Sequence, residues 1–565
     1  MILRGSIFRT LLTATAVAIV ISPAAVAGAA KKPIATTNEN AHTITVSVPG
    51  PLNGCGYLDA GSNPSSNAVL DLIQPSAFLT TTSDVLVGEG GPIAAAELTS
   101  LSPETVVYTI ASNYAWSNGR LFSGGDLLTW WQYAKSVPSI YTDGYRSIKS
   151  LVVNSSSSTV TVIFSKPFSA WSSLFRDISP APNGTGCSFT SFLKRPTLGP
   201  YNVSSASSSQ IVLTMNQSWK LNPNRYGRII IQASAPIPTS NNSNFAGYTI
   251  QVNKSLSMTL SAHPEFVSHI GTSDQILELT YAPRTLLTSN VSVREALSLS
   301  IQRQKILNSL WGSVTFAPAP ATSMLLAQGQ NGYPGGSGPG PTLSTTTTTV
   351  ASASTTTSTT PNVTGNTVGD CLPCAISLLT KNAGYKIVGG ILRNSANAPF
   401  VIHLAVGPSN LEKTSANLIA SQWRAIGIVV YEYFFTNDEA AQSAIAANKY
   451  EVGLILRTAT TTPSTLARSF YGPNFVDSYS SAIRTASLNK LYDSAISNFN
   501  PVTALATWSA FDQTVLGQFW LRPIVTLPTI TIWSNTLSNA TGSLSVQGFV
   551  DQIPSWGTIV TSSSK

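Results

Sequence analysis

Three short motifs carry the residue types of a serine-acylating enzyme. Ser191-Phe-Leu-Lys194, Ser240-Asn-Asn242 and Lys413-Thr-Ser415 follow one another in the order Ser-x-x-Lys, Ser-x-Asn, Lys-Thr-Gly. That chemistry needs its serine at the head of a long buried helix, whereas Ser191 runs straight into Arg195-Pro-Thr-Leu-Gly-Pro200. Ser-x-x-Lys also recurs at Ser487–Lys490 and Ser562–Lys565, so chance explains the match in a serine-rich chain. The histidines are no more suggestive. His263 and His269 lack a flanking carboxylate at metalloprotease spacing, while His42 and His403 lie in or beside strand patterns, where a structural imidazole is the commoner fate. There is no Gly-x-Ser-x-Gly elbow and no phosphate-binding glycine loop. No catalytic residue, metal or cofactor is expected, and a secreted serine hydrolase is the minor reading.

The cysteines are Cys55, Cys187, Cys371 and Cys374. An even count in an exported chain suggests disulfides, and three pairings are open. Cys371-Leu-Pro-Cys374 has the spacing of a redox dithiol and precedes a helical pattern, and it equally suits a local structural disulfide. A zinc site would want two further thiolate or imidazole ligands, and none is close in sequence.

Export itself is read from the N-terminus. Arg4 and Arg9 precede an apolar run over 11–21 and small residues ending near Ala27, the pattern of a signal peptide over 1–27. The run is too short to span a bilayer, and no later segment is long and apolar enough. No cysteine occurs before Cys55, so a lipid-anchoring cysteine is missing, although a retained signal segment could still tether the chain. The expected location is extracytoplasmic, in the periplasm or on the outer face of the cell membrane. Of 565 residues only 10% are charged, and the net charge of +8 reflects few acids rather than many bases. Lys and Arg are scattered without interleaved aromatics, which argues against a nucleic-acid partner. Scarce titratable groups also limit charge repulsion in acidic surroundings.

A chain of this length must divide into two or more lobes. Strand patterns lie at 43–49, 105–110, 159–164, 210–216, 228–233, 450–456 and 523–533, and helical periodicity at 292–312, 414–427, 481–499 and 502–518. Within Tyr108–Ala134, Ser117-Asn118-Gly119 supplies a turn, and Ser123 with Asp126 reads as a capping box opening a helix. Residues 329–366 are so rich in Gly, Ser, Thr and Pro that they cannot bury a core, and a disordered insertion is expected there.

Read in order, these pieces resemble the bacterial extracellular solute-binding proteins of the oligopeptide, dipeptide and nickel class. Trp116-Ser-Asn-Gly119 is similar to that family's Trp-Ser-Asp-Gly turn, with Asn118 in place of the usual Asp. Ser165-Lys-Pro-Phe168 resembles its turn after a strand, and Gly199-Pro-Tyr201 with Asn216-Gln-Ser-Trp219 its strand pair. Val293-Arg-Glu-Ala-Leu297, Ala383-Gly-Tyr385 and Ala425-Ile-Gly-Ile428 complete a colinear match from about Thr43 to Trp533.

The resemblance implies an α/β, two-lobed clamp of the periplasmic-binding-protein type. Lobe I would comprise 42–57, 181–265 and 523–560, an extra subdomain 58–180, and lobe II 266–522. It further implies a monomer that captures a peptide or other small polar solute between its lobes and delivers it to the membrane permease of an ABC importer. A cell-surface interaction protein reusing the clamp is the alternative. Two loops would wall the site: one bearing Asn53, Gly54 and Tyr57, the other Arg457, Thr458, Thr460 and Thr461. On the same layout, Cys55–Cys187 and Cys371–Cys374 are the expected disulfides. Peptide-binding members place an Asp in the loop matching 457–464. This chain has none there, so Arg457 and the threonines point to a neutral or anionic solute.

Overall fold

The computed structural model describes residues 43–558, apart from short stretches at 60, 84, 138–141, 181–186, 223–225, 237–243, 251, 313–317, 331, 335–369, 460–461 and 472–482. The expected signal peptide and most of the expected insertion lie outside the described residues.

Ten strands form one sheet. In chain order they are β1 (Thr43–Val48), β2 (Tyr201–Ala206), β3 (Gln210–Met215), β4 (Arg228–Ala233), β5 (Phe245–Thr249), β6 (Phe266–Tyr281), β7 (Val401–Val406), β8 (Val429–Phe434), β9 (Val452–Thr458) and β10 (Leu521–Ser534). Their spatial order is β8-β7-β9-β6-β10-β5-β1-β4-β3-β2. β4 and β5 flank β1 in parallel, and β8 and β9 flank β7 in parallel. Between these two sets lie β6 and β10, antiparallel to each other and long enough to run from one to the other. A separate four-stranded antiparallel sheet spans 93–164.

Three hydrophobic cores follow from this layout. One packs β1–β5 strands against the helices Pro64–Ile73 and Val546–Asp551. The second packs β6, β7, β9 and β10 against the helices Val291–Leu299, Arg303–Trp311, Asn410–Ala425 and Pro501–Leu516. The third fills the four-stranded sheet beneath the helix Gly124–Ala134. Pro64–Ile73 was expected in the extra subdomain. Instead, Val69, Leu70 and Ile73 complete the first core, so that boundary falls after the helix.

Local sequence explains most helix ends. Ser123 and Asp126 form the capping box, with the Asp126 carboxylate also bound by Arg120, while Trp116 is buried beneath the turn and Gly119 sits at φ +85°. The helix expected over 292–312 is broken at Ser300–Gln302. There the Ser300 hydroxyl turns back to the Leu297 carbonyl, and the Gln302 N–H donates to the Gln422 side chain at 2.7 Å. Disulfides join Cys55 to Cys187 and Cys371 to Cys374. The expected insertion starts too early at 329: Gln330 is buried and the Pro334 carbonyl accepts from Thr322 at 2.8 Å.

Two buried carboxyls are held far above their ordinary range. Burial pushes Asp512, which receives the Met324 N–H at 3.0 Å, to about 7. Burial likewise pushes Glu104, which receives the Phe168 N–H at 2.6 Å, to about 7. In the unfolded chain both titrate near ~4. Between about pH 4 and 7 the folded chain therefore holds more protons than the unfolded one, and their contribution to stability falls as pH rises through that window. The thermal midpoint is expected to be higher at pH 5 than at pH 8, with Asp512→Asn flattening the difference. Calorimetry showing a midpoint that climbs steadily with pH would contradict this.

Candidate functional site

In an open α/β sheet, side chains and loops at the carboxyl ends of parallel strands converge on a crevice. Here two such crevices face each other. β1 ends at Ser47–Val48, the loop after β4 carries Ser234–Pro236, and β5 ends at Tyr248–Thr249; opposite them stand Pro408–Ser409 after β7 and Leu456 with Thr458 at the end of β9. Together they enclose a cavity of about 650 Å³. That is within the ~300–1,000 Å³ range of small-molecule sites.

The floor between the two walls is an irregularity in β6. Thr272 pairs with Pro528 and Ile276 with Thr526, so Ser273, Asp274 and Gln275 together face the single residue Leu527. Pro528 cannot donate into the ladder, which favours a bulge at this point. The Ser273 hydroxyl donates to the Leu527 carbonyl at 3.0 Å, and the Gln275 N–H to Ser273 Oγ at 3.1 Å. The bulge puts Asp274 and Gln275 into the cavity lining, and the Asp274 carbonyl accepts the Ala459 N–H at 2.6 Å.

Three helices begin at the cavity wall, capped by Asn63, Asn253 and Ser409. Asn63 accepts from Ser66 and Asn253 from Leu256, each at 2.9 Å. At the third, Glu412 completes a capping box: Ser409 Oγ accepts the Glu412 N–H at 3.1 Å, and the Glu412 carboxylate receives the Ser409 N–H and hydroxyl at 3.0 and 2.6 Å. This sets a carboxyl group at the helix start and fills a first-turn N–H that could otherwise meet an anion.

Of the residues named from sequence, Thr458 lines the cavity, facing Gln275 across the β6–β9 ladder. Thr460 and Thr461 lie outside the described residues. Arg457 does not line it: neighbouring strand residues point to opposite faces, and its guanidinium donates to the fully buried Glu278 at 2.6 and 3.0 Å. The expectation that Arg457 attracts an anionic solute is therefore corrected. Asn53, Gly54 and Tyr57 do not line it either. Asn53 braces its own loop, donating to the Gly61 carbonyl at 2.7 Å and accepting the Cys55 N–H at 3.1 Å. Gly54 lies against the Ser188 backbone, where a Cβ would come within 2.6 Å, and Tyr57 packs between two cores. The same loop is tied to the region before Phe189–Lys194 by the Cys55–Cys187 disulfide.

The serine and lysine motifs are not assembled at this cavity. Ser191 lies in the short helix Phe189–Lys194, capped by Ser188, while Lys413 is in Asn410–Ala425; neither lines the cavity, and 240–242 lie outside the described residues. His263 pairs with Glu265 at 2.8 Å and His403 with Glu451 at 2.9 Å. Among the described residues, no three His, Cys, Asp or Glu side chains are grouped to hold a metal ion.

Two α/β lobes joined by two long strands, with a small-molecule cavity between their carboxyl ends, define a hinged binding clamp. A family model described as bacterial extracellular solute-binding proteins, family 5 middle, matches residues 92–476, and the chain belongs to that family. It is 24% identical over 305 residues to the oligopeptide-binding protein OppA of Mycobacterium tuberculosis (strain ATCC 25618 / H37Rv), covering 49% of this chain and 50% of that protein. The chain thus matches about half the length of that relative. In structure it is similar to the periplasmic EDTA-binding protein EppA, with a TM-score of 0.73, 19% identity and coverage of 91% and 96%. It is also similar to the oligopeptide-binding protein AppA from Bacillus subtilis in complex with a nonapeptide, with a TM-score of 0.68, 12% identity and coverage of 91% and 98%.

Removing Arg457 leaves the Glu278 carboxylate buried without its guanidinium. Arg457→Ala should therefore cost about 3–5 kcal/mol of stability, with Glu278→Gln in the same chain recovering much of it. Urea unfolding of both variants checks this; a neutral Arg457→Ala would show that the pair carries no structural weight.

Proposed function

We propose that this protein is the extracytoplasmic substrate-binding component of an ABC importer. It captures a peptide or other small polar organic solute in the inter-lobe cavity and presents it to the permease as a monomer. The observation that carries this reading is the convergence of β1, β4 and β5 with β7 and β9 on one cavity, bridged by β6 and β10 alone of the ten strands. A solute touching both walls would stabilise the closed arrangement by its contacts to each. Family membership supports the class, as does the range of solutes named for its structural neighbours, from EDTA to a nonapeptide. Export by the N-terminal segment is part of the same reading. No helix among the described residues is long and apolar enough to cross a membrane.

Filling the cavity tests the proposal. Native mass spectrometry of protein purified from its source should show a retained small molecule, and Thr458→Trp should lose it while keeping the wild-type circular dichroism spectrum. Retention undiminished by the tryptophan would place the ligand elsewhere and overturn the assignment.

A further inference from the structure

Three carboxyls meet out of water where the first core joins the third. Asp71 comes from the helix Pro64–Ile73 and Asp551 from Val546–Asp551, both packed in the first core, while Asp177 lies between Phe175 and Ile178 of the third. The side chains of Asp71 and Asp551 are 0% and 3% exposed, and Asp177 is 2% exposed. Arg176 enters the same space. Its Nη2 donates to Asp71 at 3.0 Å and lies 4.0 Å from Asp551, and its Nη1 donates to the Thr80 hydroxyl at 2.9 Å. The Thr80 N–H donates to Asp551 at 2.8 Å, and the Gln547 amide to Asp71 at 3.0 Å.

Asp177 and Asp551 each lie within hydrogen-bonding reach of the Asp71 carboxyl. An ionised carboxylate only accepts, so two carboxyls bond to each other only when one of them carries a proton. Without that proton the contact sets like charges together in a water-poor interior. We propose that Asp71, Asp177 and Asp551 form a proton-held latch, which fastens two helices of the first core to the Arg176–Asp177 loop of the third in acid and lets that junction open as the pH rises. Both helices begin at the cavity wall, with Ser65 and Val546 in its lining, and carry the latch near their other ends.

Other charged and titratable groups face the latch. Arg176 offsets part of its negative charge, and Arg195 acts on Asp177 while also facing Asp59 and Tyr133. Glu89, which receives the Ser76 N–H at 3.0 Å, sets a further carboxyl beside Asp71 and Arg176. The phenol of Tyr57 faces Arg176, and that of Tyr145 faces both Arg176 and Asp177. Burial first, and the Asp71 carboxyl next, push Asp177 and Asp551 well above the ordinary Asp range. Once the junction opens to water, both titrate near ~4. Above about pH 4 the closed junction therefore holds more protons than the open one, and its stability falls as the pH rises from there.

Hydrogen exchange of the full chain reads the junction directly. Across it the Ala77 N–H donates to the Phe175 carbonyl at 2.8 Å and the Ile178 N–H to the Pro75 carbonyl at 3.0 Å. Protection factors at these amides, which divide out the intrinsic pH dependence of exchange, should fall about tenfold or more between pH 5 and pH 8. The helix Asn410–Ala425 of the second core should show a smaller fall. Asp177→Asn, whose amide donates to Asp71 as the protonated acid does, should flatten the fall at the junction, and Asp551→Asn should flatten it in part. Asp512→Asn, which acts in the second core, should leave it as in the wild type. Junction protection that is constant with pH, that falls only in step with the second core, or that keeps its wild-type pH dependence in both latch variants would overturn the proposal. So would calcium restoring protection at pH 8, since a metal ion would then stand where the latch has protons.

Discussion

The antiparallel pairing of β6 with β10 is the constraint on which the rest depends. Each strand runs through both lobes, so the lobes share a single sheet and cannot drift apart, yet the ladder between them is interrupted at the point where they meet. Thr272 to Ile276 spans three residues opposite Leu527, and a second shift falls beside Pro523, where Leu277 pairs with Val525 and Glu278 with Pro523. Proline in β10 removes ladder donors at both places. A hinge placed there can flex with little loss of pairing, because the hydrogen bonds it would break are already absent. The same interruption turns Asp274 and Gln275 towards the cavity.

Around this hinge the second lobe is braced by buried charge. Arg303 donates its Nε to Asp370 at 3.1 Å and its Nη1 to the Ala321 and Pro523 carbonyls, and Arg522 reaches the same Asp370 at 3.1 Å. The segment from 320 to 334 is held against the hinge strands: the Gln328 N–H donates to Thr526 Oγ at 3.1 Å, and the Thr272 hydroxyl donates to the Gln328 carbonyl. Such pairs are costly to bury and costlier to break singly, so they fix one arrangement rather than add much stability. Rigid lobes on either side would confine a closing motion to the bulge.

Local features of the fold were legible in the sequence. The Ser123–Asp126 box, the Asn118-Gly119 turn, the helix that stops just before Gly427 and the strands of alternating pattern depend on neighbours a few residues apart. β6 was not legible, since Ile276–Tyr281 is buried throughout and shows no alternation, while Thr272-Ser-Asp-Gln275 breaks its apolar run. Loop residues near an expected site were identified by analogy with a family, and analogy fixed the strand but not the face. Thr458 and Arg457 differ by one position and so point to opposite faces of the strand, and it is Glu278, 179 residues away, that meets the arginine on its face. For the placement of Asp274 in the cavity lining the local signals were faint. A polar break within a long apolar strand and the Ser409–Glu412 box after β7 were the clues available.

The central claim is that two rigid lobes close about the β6–β10 bulge upon a solute in the cavity. Leu193 and Val502 are exposed, one on a helix packed by the first core and the other on a helix of the second. The most direct measurement is the distance between spin labels at Leu193→Cys and Val502→Cys, recorded by pulsed electron resonance on protein carrying its retained ligand and again after the ligand has been stripped. The account predicts a distance distribution that shifts between the two states, while paired labels within either lobe stay fixed. Identical inter-lobe distributions with and without ligand would contradict it.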